Sequence, residues 1–256
     1  MSNPATPDTI LTQAIERYLK RTGNRCLEPR AALIDMDGTL YDSMPSHARA
    51  WQRMVTELGI ECTFEEFFLY EGMTGASTID LLIKRAWNRP ATDNEKTSLY
   101  HLKTQYFNEL PKVEPMPGAG AMLTELNNAG IKCVLVTGSA QTSVLDRIAA
   151  DYPGAFAPGM RITAHDVANG KPHPEPYLRG MQLAGTAPAQ SIVIENAPMG
   201  VKSGHDAGAF TVAVTTGPVP AENMAQAGAD LIAPSMPQFA TMLPRLLELA
   251  STITND

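Results

Sequence analysis

Ala31-Ala32-Leu33-Ile34-Asp35-Met36-Asp37-Gly38-Thr39-Leu40-Tyr41-Asp42-Ser43 runs from an unbroken apolar stretch straight into a carboxylate pair and a glycine. Four apolar residues without alternation fit a strand buried on both faces, the pattern of a parallel sheet covered by helices. Two acids two residues apart bring both charges to one rim, and like charges that close are costly unless a cation neutralises them. Mg2+ suits such hard oxygen donors, and a phosphate substrate would supply more of them. A pair of solvated turn carboxylates is the bland alternative, which the whole Asp-x-Asp-Gly-Thr-Leu-x-Asp pattern behind an apolar strand disfavours.

Working outward, three more apolar runs enter turns: Ile131 to Val136, Ile192 to Ile194 and Phe210 to Val214. Helical patterns lie between them, for example Met122, Leu123 and Leu126 between Pro117 and the stop at Gly130. The alternation predicts an α/β fold with a doubly wound parallel sheet, whose ligands sit past the carboxyl ends of the strands. Residues 45 to 112 break the alternation. Ile79, Leu82, Ile83, Ala86 and Trp87 follow helical spacing, and Thr92 with Glu95 forms a capping box ahead of Leu99, Leu102 and Tyr106. Met44-Pro45, Pro111 and Pro115-Met116-Pro117-Gly118 punctuate its exits. The expected organisation is a core of residues 1–43 and 115–256 with an all-helical insert at 44–114. Helices are also expected over Asp8 to Lys20 and from Pro237 onward.

Hydrophobic residues make up 44% of the 256 and charged residues 18%, too apolar a mixture for a disordered chain. Twenty basic against 27 acidic residues leave a charge of −7 and no basic block, which argues against nucleic acid and anionic membrane as partners. There is no apolar run of membrane-spanning length, and Met1 to Asp8 is polar, so neither a span nor a secretory signal is read. Cys26, Cys62 and Cys133 are odd in number and lack metal spacing, which suits a reducing, cytoplasmic setting. The sequence leaves the oligomeric state open.

Chemistry-bearing residues recur at the later strand ends: Thr137-Gly138-Ser139, then Gly170-Lys171-Pro172, then Glu195-Asn196-Ala197-Pro198. Each has a dull alternative, since Thr137 or Ser139 could cap a helix, Lys171 could be a solvated charge and Glu195 a surface acid. Their order behind the Asp35/Asp37 pair resembles the haloacid dehalogenase superfamily, over nearly all of residues 30 to 236. That resemblance implies a Rossmann-like core and an aspartyl-phosphate mechanism with Asp35 as nucleophile and Asp37 as general acid/base. It implies Thr137, Gly138 and Ser139 as holders of the phosphoryl oxygens and Lys171 as the balancing cation. Mg2+ would be held by Asp35, by the carbonyl of Asp37 and by Asn196, which stands where the family more often has an acid. Glu195 precedes it as a substrate-binding candidate.

The helical insert resembles the cap of the beta-phosphoglucomutase-like subgroup, and His47 and Trp51 match it, with the histidine expected near the general acid/base. Over Tyr70-Glu71-Gly72-Met73-Thr74-Gly75-Ala76-Ser77, however, Glu71 stands at a lysine position of the mutases and Gly75 at an arginine position. A bisphosphorylated hexose needs cations at both ends. The loop is more similar to that of inorganic pyrophosphatases of the subgroup, which implies that Glu71 reaches the Mg2+ when the cap closes; otherwise Glu71 is a helix-end acid. The expected activity is therefore Mg2+-dependent hydrolysis of a small phosphate, inorganic pyrophosphate first. The alternatives are a beta-phosphoglucomutase converting beta-glucose 1-phosphate to glucose 6-phosphate, and a weakly active phosphate-binding regulator.

Overall fold

Six parallel strands carry the core in the order β3-β2-β1-β4-β5-β6: β1 Ala31–Ile34, β2 Lys132–Val136, β3 Arg161–Ile162, β4 Ser191–Glu195, β5 Phe210–Val214 and β6 Leu231–Ala233. They belong to a computed structural model that describes residues 6–139 and 145–255. Every residue of β1 is buried, as the unbroken apolar run requires of a central strand. The chain fills the β2-β3 side first and then crosses to β4-β5-β6, so the strand order reverses beside β1. At that switch point the two flanking loops part and leave a crevice. Ile34 is level with Leu135 on one side and Ile194 on the other, so Asp35, Thr137 and Glu195 leave the sheet along one rim.

The sequence reading found four of these strands and missed two. β3 has two residues and β6 three, too few to show a period.

The helices are α1 Pro7–Thr22, α2 Met44–Glu57, α3 Glu66–Leu69, α4 Gly75–Trp87, α5 Asp93–Asn108, α6 Ala119–Asn128, α7 Ile148–Asp151, α8 Glu175–Ala184, α9 Pro198–Asp206, α10 Ala221–Gln226 and α11 Met236–Ala250. α1 is capped by Thr6 and by Gly23 in the left-handed region, and buries Leu11, Ala14, Ile15, Tyr18 and Leu19. Arg21 then grips the Asp230 carboxylate with two nitrogens, at 3.2 and 2.8 Å. Helices α2 to α5 form the insert between β1 and β2. Trp51 of α2 stacks on Phe67 at 6.3 Å, and Thr92 and Glu95 make the expected capping box of α5. Tyr41 bridges to Pro115, so the chain enters and leaves the insert side by side. No helix among the described residues is long and apolar enough to cross a membrane. The polar start Met1 to Ala5 and the helix that Thr137 or Ser139 could cap lie, wholly or at their first residues, outside the described residues.

Candidate active site

Asp35 follows the last residue of β1 and is held there by its own N–H, which donates to the Ile194 carbonyl at 3.0 Å. Its side chain is buried, with the residue 2% exposed. Lys171 reaches it from the loop before α8: Nζ donates to Asp35 Oδ1 at 2.5 Å, to Glu195 Oε1 at 2.6 Å and to the Val136 carbonyl at 3.0 Å. Three donated bonds use the three protons of an ammonium. Burial works to depress Lys171, but the Asp35 and Glu195 carboxylates override it and hold its proton more firmly than usual. Burial, and then the charge of Glu195, push the Asp35 carboxyl up to about 8 against the pull of Lys171.

Glu195 departs from its expected place. It is fully buried and faces away from the cavity: Oε1 accepts from Lys171 and from the Tyr177 hydroxyl at 2.6 Å, and Oε2 from the N–H groups of Asn196 and Ala197. Four donors leave it no capacity for substrate, so Glu195 is a support for Lys171. Tyr177, which sequence reasoning passed over, belongs to the same support; its only sequence signal is a tyrosine six residues beyond the loop lysine.

Asp37 points into the insert. Ser43 Oγ donates to its Oδ1 at 2.6 Å, and His47 Nε2 lies 3.0 Å from the same oxygen. Although burial works to raise it, His47 and Ser43 hold the Asp37 carboxyl below the ordinary range. Behind His47, Lys103 Nζ stands 2.6 Å from Nδ1. Burial, reinforced by Lys103, depresses the imidazole, so at neutral pH Nδ1 accepts from Lys103 and Nε2–H donates to Asp37. Sequence reasoning missed Lys103, although it stands one turn beyond Leu99 and shares the buried face of α5 with Tyr106 and Phe107.

Burial brings Lys103 down to about 7. From there to its ordinary 10.5 the unfolded chain holds a proton that the folded chain does not, so this group favours folding increasingly as pH rises through that window. Lys103→Met is expected to remove that rise. Its melting temperature, compared with the parent, should gain more at pH 7 than at pH 9.5, by roughly 4 °C or more. An equal change at both values would exclude a buried, titrating ammonium.

Glu71 comes down from the loop between α3 and α4 and is 6% exposed. Its Oε1 accepts from Asn196 Nδ2 at 2.8 Å, while Asn196 Oδ1 accepts from the Thr39 hydroxyl at 3.2 Å. Burial, then the charge of Asp35, push Glu71 well above the ordinary carboxylate range. The backbone packs as closely. A Cβ on Gly38 would meet Asn196 Nδ2 at 2.0 Å and Glu71 Oε1 at 2.7 Å, and one on Gly138 would meet the Gly72 carbonyl at 2.4 Å. Gly38 also takes a φ of +76°. Thr137 Oγ1 accepts from the Ser139 N–H at 3.0 Å, which fixes that turn beneath the cavity.

The cavity enclosed is about 60 Å3, lined on the core side by Asp35, Asp37, Thr137, Gly138 and Ser139 and on the insert side by residues that include His47, Trp51, Glu71, Tyr100 and Lys103. Among the described residues no three His, Cys, Asp or Glu side chains converge as a ready-made metal set. The chemistry of the mixed set nevertheless fits a hard divalent cation. Asp35 Oδ2 is buried with no hydrogen-bond partner, and Glu71, raised by burial and then by the Asp35 charge, lines the same cavity.

A family model described as haloacid dehalogenase-like hydrolase matches residues 29–208. Hexitol phosphatase A of Escherichia coli strain K12 is 35% identical over 209 residues, 81% of this chain and 91% of that protein. Beta-phosphoglucomutase of Bacillus subtilis strain 168 is 28% identical over 211 residues, 79% of this chain and 88% of that one. A solved structure from Bacteroides vulgatus, named provisionally as a beta-phosphoglucomutase, superposes with a TM-score of 0.92 at 40% identity, covering 96% of this chain and all of that one. None of these three is named for pyrophosphate.

Proposed function

The chain belongs to the haloacid dehalogenase-like hydrolase family, and on that premise we propose that it is a Mg2+-dependent phosphohydrolase acting through Asp35 on a compact phosphate substrate, inorganic pyrophosphate first. The observation that carries this reading is Glu71: the insert loop puts a buried carboxylate against Asn196, over the nucleophile, where the far phosphate of a hexose bisphosphate would need a cation. Helices α2 to α5, residues 44–114, act as the cap, and residues 1–43 and 115–256 as the core. The three cysteines, all unpaired, suit the cytosol.

In this mechanism an Asp35 carboxylate oxygen attacks phosphorus, the bond from phosphorus to the leaving oxygen breaks, and Asp37 passes its proton to that oxygen. Entry of a substrate anion beside Asp37 raises its proton affinity enough for that role. Water then attacks the aspartyl-phosphate, Asp37 takes the water's proton, and the bond to Asp35 breaks. Lys171 holds Asp35 in line and offsets its charge, while the Thr137 hydroxyl and the Gly138 N–H donate to the phosphoryl oxygens and the Ser139 N–H keeps the turn in place. Asp35, the Asp37 carbonyl, Asn196 and Glu71 would hold Mg2+, which when bound supplies charge neutralisation at the phosphoryl group. Glu71 thereby ties cap closure to metal binding and excludes bulk water from the second step.

A second reading has support of its own. The relatives support the alternative, a beta-phosphoglucomutase or sugar-phosphate phosphatase, better than pyrophosphate, since their names are hexitol phosphatase and beta-phosphoglucomutase, and Lys103 gives the cavity wall a buried amine.

Glu71→Gln tests the first reading at its root. The Mg2+ concentration for half-maximal turnover, and the Mg2+ affinity by calorimetry, should both weaken by about tenfold or more. Unchanged titrations would remove Glu71 from the metal site and with it the argument for a compact substrate.

A further inference from the structure

One wall of the cavity is used by none of the steps above. Tyr100, on the second turn of α5, lines it together with Trp51, Thr78 and Gly75. The ring lies against the backbone of Gly75: a Cβ there would meet Tyr100 Cδ2 at 2.1 Å, Cε2 at 2.2 Å and Cγ at 3.0 Å. Gly75 opens α4 behind its cap Thr74, whose hydroxyl accepts from the Ser77 N–H. The start of α4 is therefore fixed, and the ring and the helix can touch this closely only because residue 75 has no side chain. The Trp51 ring stands 6.4 Å from the Tyr100 ring, and Lys103 Nζ 5.9 Å from it. Tyr100 thus fills space between α2 and α4 on the insert side of the cavity, across from the core side that holds Asp35, where the group leaving phosphorus must lie.

We propose that Tyr100, seated on Gly75, is the residue that sets the size of the leaving group. This deepens the phosphohydrolase reading and rests on it, but it does not depend on which substrate is best. Packing of the ring against a glycine makes it a fixed wall, because the facing helix start has no side chain to yield. Cutting the side chain back to Cβ opens a space of several heavy atoms that is continuous with the cavity, wide enough to admit part of a hexose. The rejection of large leaving groups is then steric, and relieving it acts on kcat/KM in proportion to substrate size.

The test compares Tyr100→Ala and Tyr100→Phe with the parent enzyme in Mg2+, measuring kcat/KM for glucose 6-phosphate, glycerol 3-phosphate and pyrophosphate. Tyr100→Ala should raise the ratio of glucose 6-phosphate to glycerol 3-phosphate by about tenfold or more, and Tyr100→Phe, which keeps the ring, should leave it within about twofold. If Tyr100→Ala melts too low to assay, Tyr100→Leu should give a smaller rise in the same direction. A ratio unchanged in the folded small-residue variant, or raised equally in Tyr100→Phe, would overturn the proposal. The two readings fail separately: a parent enzyme that prefers glucose 6-phosphate to pyrophosphate counts against the compact-substrate reading, whereas only the change of ratio on mutation bears on Tyr100.

Discussion

Replacing Asp35 by asparagine is expected to lower kcat by about four orders of magnitude or more, and to leave the melting temperature of the metal-free protein unchanged or higher. The first effect follows from removing the nucleophile while keeping its shape. The second follows from electrostatics. Asp35 stands among Glu195, Asp37 and Glu71 with the Lys171 ammonium close by, and its own carboxyl is pushed up to about 8 by burial and Glu195. A neutral amide relieves that crowding, and its oxygen still accepts from Lys171. Stopped turnover in a protein that melts no lower separates chemistry from folding. Turnover within about tenfold of the parent would show that phosphorus is attacked by another group.

Lys171→Met is expected to cost stability as well as activity. Lys171 is 1% exposed and its Nζ is shared between Asp35 and Glu195, so its removal takes the balancing ammonium from a buried acidic cluster. Breaking a buried charge cluster by removing one partner costs about 3–5 kcal/mol, far more than any surface pair. Chemical denaturation at neutral pH measures the loss. Adding Glu195→Gln should return much of the stability without returning activity, because the amide no longer needs a counter-charge while Asp35 still lacks its cation. A Lys171→Met protein as stable as the parent would mean that the Lys171 ammonium does not balance buried negative charge in the folded protein.

The sheet was legible because its central strands are buried on both faces and so spell themselves as unbroken apolar runs; β1 and β5 match their expected limits to the residue. β3 and β6 were not legible, because two or three paired residues on an edge carry no pattern. The site divided in the same way. Asp35, Asp37 and Thr137, named from the sequence as site candidates, lie together because register alone brings the ends of adjacent strands to one place. Glu195 was found but given the wrong partner: a strand end fixes where the backbone goes, whereas the four donors that occupy this carboxylate come from α8, the Lys171 loop and its own turn. Lys103, Tyr100 and Tyr177 were missed for a related reason. Each stands on a helix whose pattern reads as ordinary packing, and only the fold shows that the helix faces the nucleophile or its supports.

The glycines of the insert loop and its seat were equally silent. Gly138 reads as part of a phosphate-holding turn, but the structure shows a second constraint, since the Gly72 carbonyl rests where its side chain would be. That approach holds the insert loop close to the β2 turn, beside the Glu71–Asn196 hydrogen bond of 2.8 Å. The link from sequence to function therefore runs through close backbone approach as much as through charged groups.

The measurement that bears most directly on the account is steady-state turnover in Mg2+ of pyrophosphate against beta-glucose 1-phosphate, the latter with and without a hexose bisphosphate. Phosphate release from pyrophosphate should have the larger kcat/KM, and no glucose 6-phosphate should accumulate under any condition. Accumulation of glucose 6-phosphate that depends on the bisphosphate, with negligible release of phosphate from pyrophosphate, would contradict the role given to Glu71 and identify the chain as a mutase.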